Sequence, residues 1–259
     1  MGIDEVLANY NAVGIDVIEQ MYGDDFLSFG GTDTTDELAR RAGIDSQSQV
    51  LDVGCGLGGP AFRLAEQWGA SVVGIDLVDL NIESAVRRAA ERGLGAQVEF
   101  QVANALDLPF PDGSFDVVFG QDAWCHVPDK RALIAECARL VRPGGAIAFS
   151  DWLQVGPMDE PLASQARSAS ATTDLLDIDG YVELLAERGF GAVWTDDTSN
   201  LFLDRYREVM SHLDAIEGDL SRRFGPKVFA IVREKNGHIL QAFEEGGFGG
   251  GRFVARRSA

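Results

Sequence analysis

Gln49-Val50-Leu51-Asp52-Val53-Gly54-Cys55-Gly56-Leu57-Gly58-Gly59, followed by the amphipathic run Pro60 to Trp68, decides the architecture. A short, mostly apolar run leads into a turn crowded with glycine, and a helical pattern starts directly after it. The segment therefore reads as strand, tight turn and helix. The same rhythm continues downstream. Ser71 to Ile75 is the second strand and Leu80 to Arg92 the next helix, and Val98 to Val102, Phe115 to Gly120 and Ala146 to Asp151 supply further strands. Lys130 to Leu140 places Leu133, Ile134, Cys137 and Leu140 near one helical face, and Pro143-Gly144-Gly145 is expected to end that helix in a turn that feeds the fifth strand. Apolar strands alternating with amphipathic helices predict an α/β fold: a doubly wound, mostly parallel, seven-stranded sheet with helices on both faces. The last strands are expected at Ala192 to Thr195 and Arg252 to Arg256, as an antiparallel pair.

Around this unit the chain divides into four stretches. Residues 1–47 are expected to form an N-terminal helical cap, with one helix at Val6 to Met21 and another after Thr34, where Thr34-x-x-Glu37 fits a capping box. Between them lies the glycine-bearing loop Tyr22-Gly23-Asp24-Asp25-Phe26-Leu27-Ser28-Phe29-Gly30-Gly31. Residues 48–200 form the main domain, which includes helices at Pro161 to Ala171 and Ile178 to Arg188. Residues 201–245 are a helix-rich insertion read as a lid, and 246–259 hold the final strand that completes the sheet.

At 259 residues and 46% hydrophobic content the chain can bury the core of one elaborated domain. It has no apolar run long enough to cross a membrane, and Met1 to Asn11 has neither a basic nor an apolar leader pattern, so a cytoplasmic monomer or homodimer is expected. Cys55, Cys125 and Cys137 are too scattered for a disulfide framework or a metal site, so reduced thiols and no metal are expected. A net charge of -19 argues against nucleic acid and anionic membranes as partners. A small molecule remains. The acidic surface suits either ordinary solubility or a saline setting.

Gly54-x-Gly56-x-x-Gly59, with Asp76 about twenty residues on, matches a dinucleotide fingerprint. Two features turn the reading from NAD to S-adenosylmethionine. Asp52 stands two residues before the first glycine, where a pyrophosphate would be repelled but a sulfonium and its ammonium would be balanced. A long helical prefix also precedes the motif. The glycines let the backbone approach the ligand, and Asp76 can accept both ribose hydroxyls. After the third strand, Asn104 and Ala105 are placed where ligands bind in open α/β sheets, with Asn104 reading the adenine edge.

The order Val50-Leu51-Asp52-Val53-Gly54-Cys55-Gly56-Leu57-Gly58-Gly59, Val73-Gly74-Ile75-Asp76, Leu108-Pro109-Phe110, Phe115-Asp116-Val117-Val118 and Leu140-Val141-Arg142-Pro143-Gly144-Gly145 resembles the class I methyltransferases over about residues 46 to 155. The resemblance implies a Rossmann-like fold and S-adenosyl-L-methionine as cofactor. It assigns to the cofactor Asp52, Gly54, Gly56, Gly58, Asp76, Leu77, Asn81, Asn104, Ala105 and Gln121, with Tyr22 and Ser28 from the loop. A narrower similarity rests on Tyr10, Tyr22-Gly23, Ser28-Phe29-Gly30-Gly31 and Asp122-Ala123-Trp124-Cys125-His126. These look like the branch that contains phosphoethanolamine and glycine, sarcosine or dimethylglycine N-methyltransferases. That resemblance implies that Tyr10 and His126 are a catalytic pair and that Asp122 positions an amine.

Histidine suits the role, because an alkylammonium must lose a proton before its lone pair can attack. Ala169-Ser170-Ala171-Thr172-Thr173-Asp174 lacks the aromatic and basic residues that grip phosphate in the phosphoethanolamine enzymes. The expected acceptor is therefore an amino acid, sarcosine or dimethylglycine, on a route to betaine. Trp152 would line its site, and Arg167 or Arg205 would hold its carboxylate. Two alternatives stand beside this reading: O-methylation of a natural-product hydroxyl by the same base, and a cofactor-binding protein without transferase activity.

Overall fold

The computed structural model describes residues 10–23, 25–28 and 30–258. Seven strands form one sheet: β1 (Gln49–Val53), β2 (Ser71–Asp76), β3 (Val98–Val102), β4 (Phe115–Gln121), β5 (Val141–Gln154), β6 (Phe190–Asp197) and β7 (Phe248–Arg257). Their order is β3-β2-β1-β4-β5-β7-β6. β1 to β5 pair in parallel, and β7 inserts antiparallel between β5 and β6. The expected doubly wound sheet is therefore present, with the antiparallel pair at its far edge.

The ten described α-helices are α1 (Ala12–Tyr22), α2 (Gly31–Ala42), α3 (Gly59–Trp68), α4 (Asp79–Arg92), α5 (Lys130–Leu140), α6 (Glu160–Ser170), α7 (Ile178–Glu187), α8 (Ser199–Ala215), α9 (Glu217–Phe224) and α10 (Pro226–Glu244). On one sheet face Leu51, Val53, Val118, Ile147 and Phe149 pack against α5 and α7. On the other, Val50, Val72, Val117 and Phe119 pack against α2 and α3. The alternation along each strand feeds two separate cores. A third core joins α1, α6, α8, α9 and α10 to Trp152 and Phe248, at the carboxyl end of β5. No helix among the described residues is long and apolar enough to cross a membrane.

Three local expectations are corrected. The helix expected from Val6 is described only from Ala12, where the Asn11 side chain accepts hydrogen bonds from the Val13 and Gly14 amides at 3.0 and 3.1 Å; positions 6–9 lie outside the described residues. Thr34 does not cap a helix. α2 starts at Gly31, and Thr34 Oγ1 instead accepts a hydrogen bond from Arg252 Nη2 at 2.9 Å, a tertiary partner that replaces the local one. Pro143-Gly144-Gly145 does not stand as a separate turn ahead of β5, because the strand begins at Val141, directly after α5. The register shift between Phe115 and Val117 absorbs the extra residues as a bulge.

The N-terminal segment is fastened to the sheet domain by charge. Arg88 on α4 pairs with Glu19 of α1 and with Asp25 of the following loop, and Arg92 also pairs with Asp25. The Arg88 guanidinium holds the Glu19 carboxyl below its ordinary range. The Gly59 amide also donates to the Asp25 carbonyl at 3.2 Å, tying that loop to the start of α3.

Phe149 is fully buried between the Trp124 ring, 4.2 Å away between centroids, and the Phe253 ring, 4.7 Å away. Truncation to alanine at such a site costs about 3–5 kcal/mol. Urea unfolding of Phe149→Ala should show that loss; a change below about 1 kcal/mol would contradict the packing described.

Candidate functional site

The site forms at the carboxyl ends of β1, β2 and β4. Gly54 and Cys55 amides both donate to the Ile75 carbonyl, at 2.8 and 2.9 Å, which folds the chain sharply away from β1. Gly54 has φ +81°, and a Cβ there would stand 2.5 Å from Ala123 Cβ. No other residue fits without displacing the β4 loop. Gly58, at φ +95°, starts α3, and its missing Cβ makes room for the Phe62 ring.

A cavity of about 140 Å³ lies over this turn, lined among others by Gly54, Gly56, Asp76, Leu77, Asn81, Asn104, Ala105, Gln121 and Ser28. Asp76 Oδ2 accepts the Gly56 amide at 2.9 Å, and Oδ1 accepts the Val78 amide at 2.9 Å and Asn81 Nδ2 at 3.3 Å. The carboxylate is thus oriented at the mouth, although burial lifts its pKa above the ordinary range. Asn104 Oδ1 accepts its neighbour Leu106 amide at 3.0 Å, so the side chain shapes the turn after β3. Gln121 donates through Nε2 to Ser28 Oγ and the Gly31 carbonyl and accepts from Thr35 Oγ1 at 2.8 Å. It clamps the N-terminal loop over the end of β4.

Three residues assigned to the cofactor are absent from the lining of this cavity. Gly58 does not line this cavity, and neither does Asp52. Asp52 shares the strand face of Val50, which α2 and α3 cover, because side chains alternate along β1. It is fully buried, and neither carboxylate oxygen has a hydrogen-bond partner. Tyr22 lines a second cavity, not the first.

That second cavity, about 470 Å³, lies between α1 and α10 and includes Tyr10, Tyr22, Asp122, His126, Trp152, Ser170 and Lys235 in its walls. The two cavities share Tyr10, Leu27, Ser28, Asp122 and His126. At this junction the Tyr10 hydroxyl lies 2.8 Å from His126 Nε2, and His126 Nδ1 lies 3.0 Å from the Ala171 carbonyl. A carbonyl only accepts, so Nδ1 carries the proton and Nε2 receives the hydrogen bond from tyrosine. Burial lowers the histidine pKa and raises that of Tyr10 well above its ordinary value, so both are neutral.

The loop that holds His126 is tied down by hydrogen bonds. Trp124 Nε1 donates to the Val53 carbonyl at 3.1 Å, and the Cys125 amide donates to Asp151 Oδ1 at 2.8 Å. Thr173 donates twice to the Cys125 carbonyl, from its amide at 2.9 Å and its hydroxyl at 3.0 Å. Asp122 sits at φ +52°, a conformation that costs a non-glycine residue energy and aims its side chain inward. Its Oδ1 accepts from Ser150 Oγ at 2.6 Å, while Oδ2 is buried without a protein partner. Burial, then the neighbouring Asp151 carboxylate, push Asp122 up to about 6.

The structure does not bring Arg167 or Arg205 into the lining of either cavity. Arg205 pairs with Glu208 and Asp33 at the surface. The cation present in the second cavity is Lys235 of α10, which the sequence reading missed. One signal was available: Val228, Val232, Lys235 and Ile239 share one helical stripe, and a lysine interrupts its apolar run. Asp151, which anchors Cys125 and accepts Tyr181 Oη at 2.5 Å, was also missed, since nothing in the sequence marks its burial.

Asp52 generates a stability prediction. Burial, then the Asp76 carboxylate, push its pKa up to about 8, above the unfolded value near 3.8. A raised acid binds its proton more tightly when folded, so its contribution is complete below about pH 4 and declines as pH rises toward 8. Asp52→Asn should therefore gain stability relative to the parent across that range, by an amount on the order of a few kcal/mol, and the gap should level off above it. Urea midpoints from pH 4 to 9 measure the gap, and a gap that does not change with pH would contradict the assigned burial.

Residues 51–149 match the family model described as a methyltransferase domain. Phosphoethanolamine N-methyltransferase 1 of Zea mays is 32% identical over 251 residues, covering 96% of this chain and 49% of that protein. The chain spans about half the length of the phosphoethanolamine methyltransferases it matches. The 27-O-demethylrifamycin SV methyltransferase of Amycolatopsis mediterranei is 31% identical over 211 residues, covering 76% of this chain and 77% of that one. The structure of Haemonchus contortus phosphoethanolamine N-methyltransferase 2, in complex with phosphomonomethylethanolamine and S-adenosylhomocysteine, matches with a TM-score of 0.91 at 22% identity, covering 100% of this chain and 61% of that one. With the glycine turn, the β2 acid and the strand order in place, and a relative matched over three quarters of both sequences, the chain belongs to the class I S-adenosylmethionine-dependent methyltransferases.

Proposed function

We propose that the protein methylates the nitrogen of a small amine that carries an anionic group a few atoms away. Phosphoethanolamine and its partly methylated forms are the first candidates. Sarcosine and dimethylglycine, whose methylation leads to betaine, are the second. The observation that carries the reading is the junction of the two cavities, where the Tyr10–His126 pair and the unpartnered Asp122 oxygen meet, with Lys235 in the wall of the acceptor side. The likeness over 96% of the chain to a phosphoethanolamine N-methyltransferase supports the phosphorylated amine, and Lys235 supplies a cation that the stretch after β5 lacks. Three buried, free thiols suit a reducing, cytoplasmic setting.

The first cavity fits S-adenosylmethionine: Gly54 admits backbone approach, Asp76 is oriented at the end of β2 for the ribose, and Leu77, Asn81 and Ala105 surround it. The cofactor supplies an electrophilic methyl group on a sulfonium. The remaining work falls to the chain. Asp122 Oδ2 accepts an N–H of the amine and holds the nitrogen at the junction. The Tyr10 oxygen accepts the ammonium proton as its own proton passes to His126 Nε2, and the imidazolium that forms keeps its Nδ1–H on the Ala171 carbonyl. The nitrogen lone pair is freed while α1 and its loop keep water out. Alignment and exclusion of water then account for most of the acceleration.

A hydroxyl acceptor is the second reading, because the match to the 27-O-demethylrifamycin SV methyltransferase covers three quarters of both sequences and the same relay would deprotonate an alcohol. Incubation with S-adenosylmethionine and separate pools of amines and hydroxylated aglycones, read by mass spectrometry, separates them. Methylated amine is expected, and turnover of hydroxyl compounds alone would overturn the proposal. His126→Ala should lower turnover by about 10²-fold with little change in cofactor affinity. Loss of cofactor binding in parallel would contradict the relay. Lys235→Ala should raise KM for the anionic amine at least about tenfold while changing kcat much less, the pattern of a lost binding contact; an unchanged KM would remove Lys235 from the site.

A further inference from the structure

The acceptor cavity has more apolar wall than a two-carbon amine requires. α1 contributes Val13, Val17, Ile18 and Met21, and α10 contributes Val228, Ile231, Val232 and Ile239 from the opposite side. At 470 Å³ the cavity falls within the range of sites that hold drug-sized ligands, about 300–1,000 Å³. Its apolar walls also reach the surface: Val13 is 40% exposed and Ile231 55% exposed, two of the few large apolar side chains exposed among the described residues. Inside, Ile239 and Val17 are buried. An apolar track therefore runs from the protein interior to solvent, along a cavity whose other end is the reactive pair.

Lys235 stands on this track, one helical turn from Ile231, so the two side chains lie on the same face of α10. An anion paired with Lys235 has Ile231 and Val232 as its next neighbours. Lys235 is the one fixed cation among the described residues that line the cavity, and Asp122 adds a carboxylate to the same wall.

The geometry points to an acceptor whose anionic group carries an apolar substituent: an ethanolamine phosphodiester with an alkyl chain, the chain lying between α1 and α10 and leaving past Val13 and Ile231. This rests on the methyl-transfer reading for the amine end, whereas the apolar subsite can be tested without it. The chain is taken from free solution, since a net charge of -19 opposes an anionic membrane surface.

The test uses the full chain with two series below their micelle concentrations. In the first, phosphoethanolamine and its butyl, hexyl and octyl phosphodiesters serve as methyl acceptors, read as kcat/KM. In the second, methyl, butyl and octyl phosphate, which have no amine, are titrated by calorimetry in the presence of S-adenosylhomocysteine. Each added methylene should strengthen both readouts about twofold to fourfold until the chain passes the rim. Ile231→Asp, at an exposed position where folding is tolerant, should flatten the length dependence in both. A flat series in the parent protein overturns the apolar subsite even if phosphoethanolamine itself is methylated. Binding that rises with chain length while no amine is methylated supports the subsite and overturns the transfer reading instead.

Discussion

Parallel pairing of β1 with β2 on one side and β4 on the other is the constraint on which the site depends. In that register Val53 lies beside Ile75, and Asp52 lies beside Gly74 and Phe119, so the ends of all three strands reach the same edge. The glycine turn, Asp76 and Gln121 thereby converge from positions far apart in sequence. Antiparallel pairing would send alternate strand ends to opposite edges and leave no shared mouth. The two apolar cores, each fed by alternate residues of the same strands, hold this register, since a one-residue slip would turn Asp52 and Phe119 to the wrong faces.

The second layer of the site is built from side chains that hold its elements together. Gln121 pins the Ser28 loop and α2, Arg88 pins α1 and Asp25, and Asp151 pins the Cys125 amide beside His126. Tyr10 then reaches His126 from the N-terminal segment, so their hydrogen bond depends on the placement of that segment. On the proposed reading this arrangement would couple proton transfer to the exclusion of water.

The sheet and the cofactor turn were legible because strands and helices have different periods and because positive φ near a ligand demands glycine. Both leave marks in neighbouring residues. Position in three dimensions leaves weaker ones. Thr34 fits a capping box by spacing, but Arg252 arrives from β7 and takes its hydroxyl. Asp52 looks like a cofactor residue by its place in the motif, but strand alternation turns it beneath the turn. Arg167 and Arg205 have the right charge in the expected region, whereas the cavity takes its cation from α10 because the insertion folds back across α6 and α8. Lys235 was visible only as an interruption in an apolar stripe, a signal that gains meaning once its facing helix is known.

The charge balance of the site favours a cationic ligand. Asp76 and Asp122 line the first cavity and Asp52 lies beneath the glycine turn, and loss of water around them raises the pKa of each. Two of them also keep oxygens without protein partners. A positive ligand lowers that electrostatic cost, and a neutral one does not. A sulfonium in this cavity would be favoured by the Asp76 and Asp122 carboxylates, a preference that the neutral thioether left after methyl transfer would lack. On the proposed reading the acceptor would be subject to the same field: Asp122 would draw in its ammonium, which would have to give up a proton before it could react. On that reading Asp122 would serve recognition and oppose deprotonation, and the proton would pass instead to the neutral pair Tyr10 and His126.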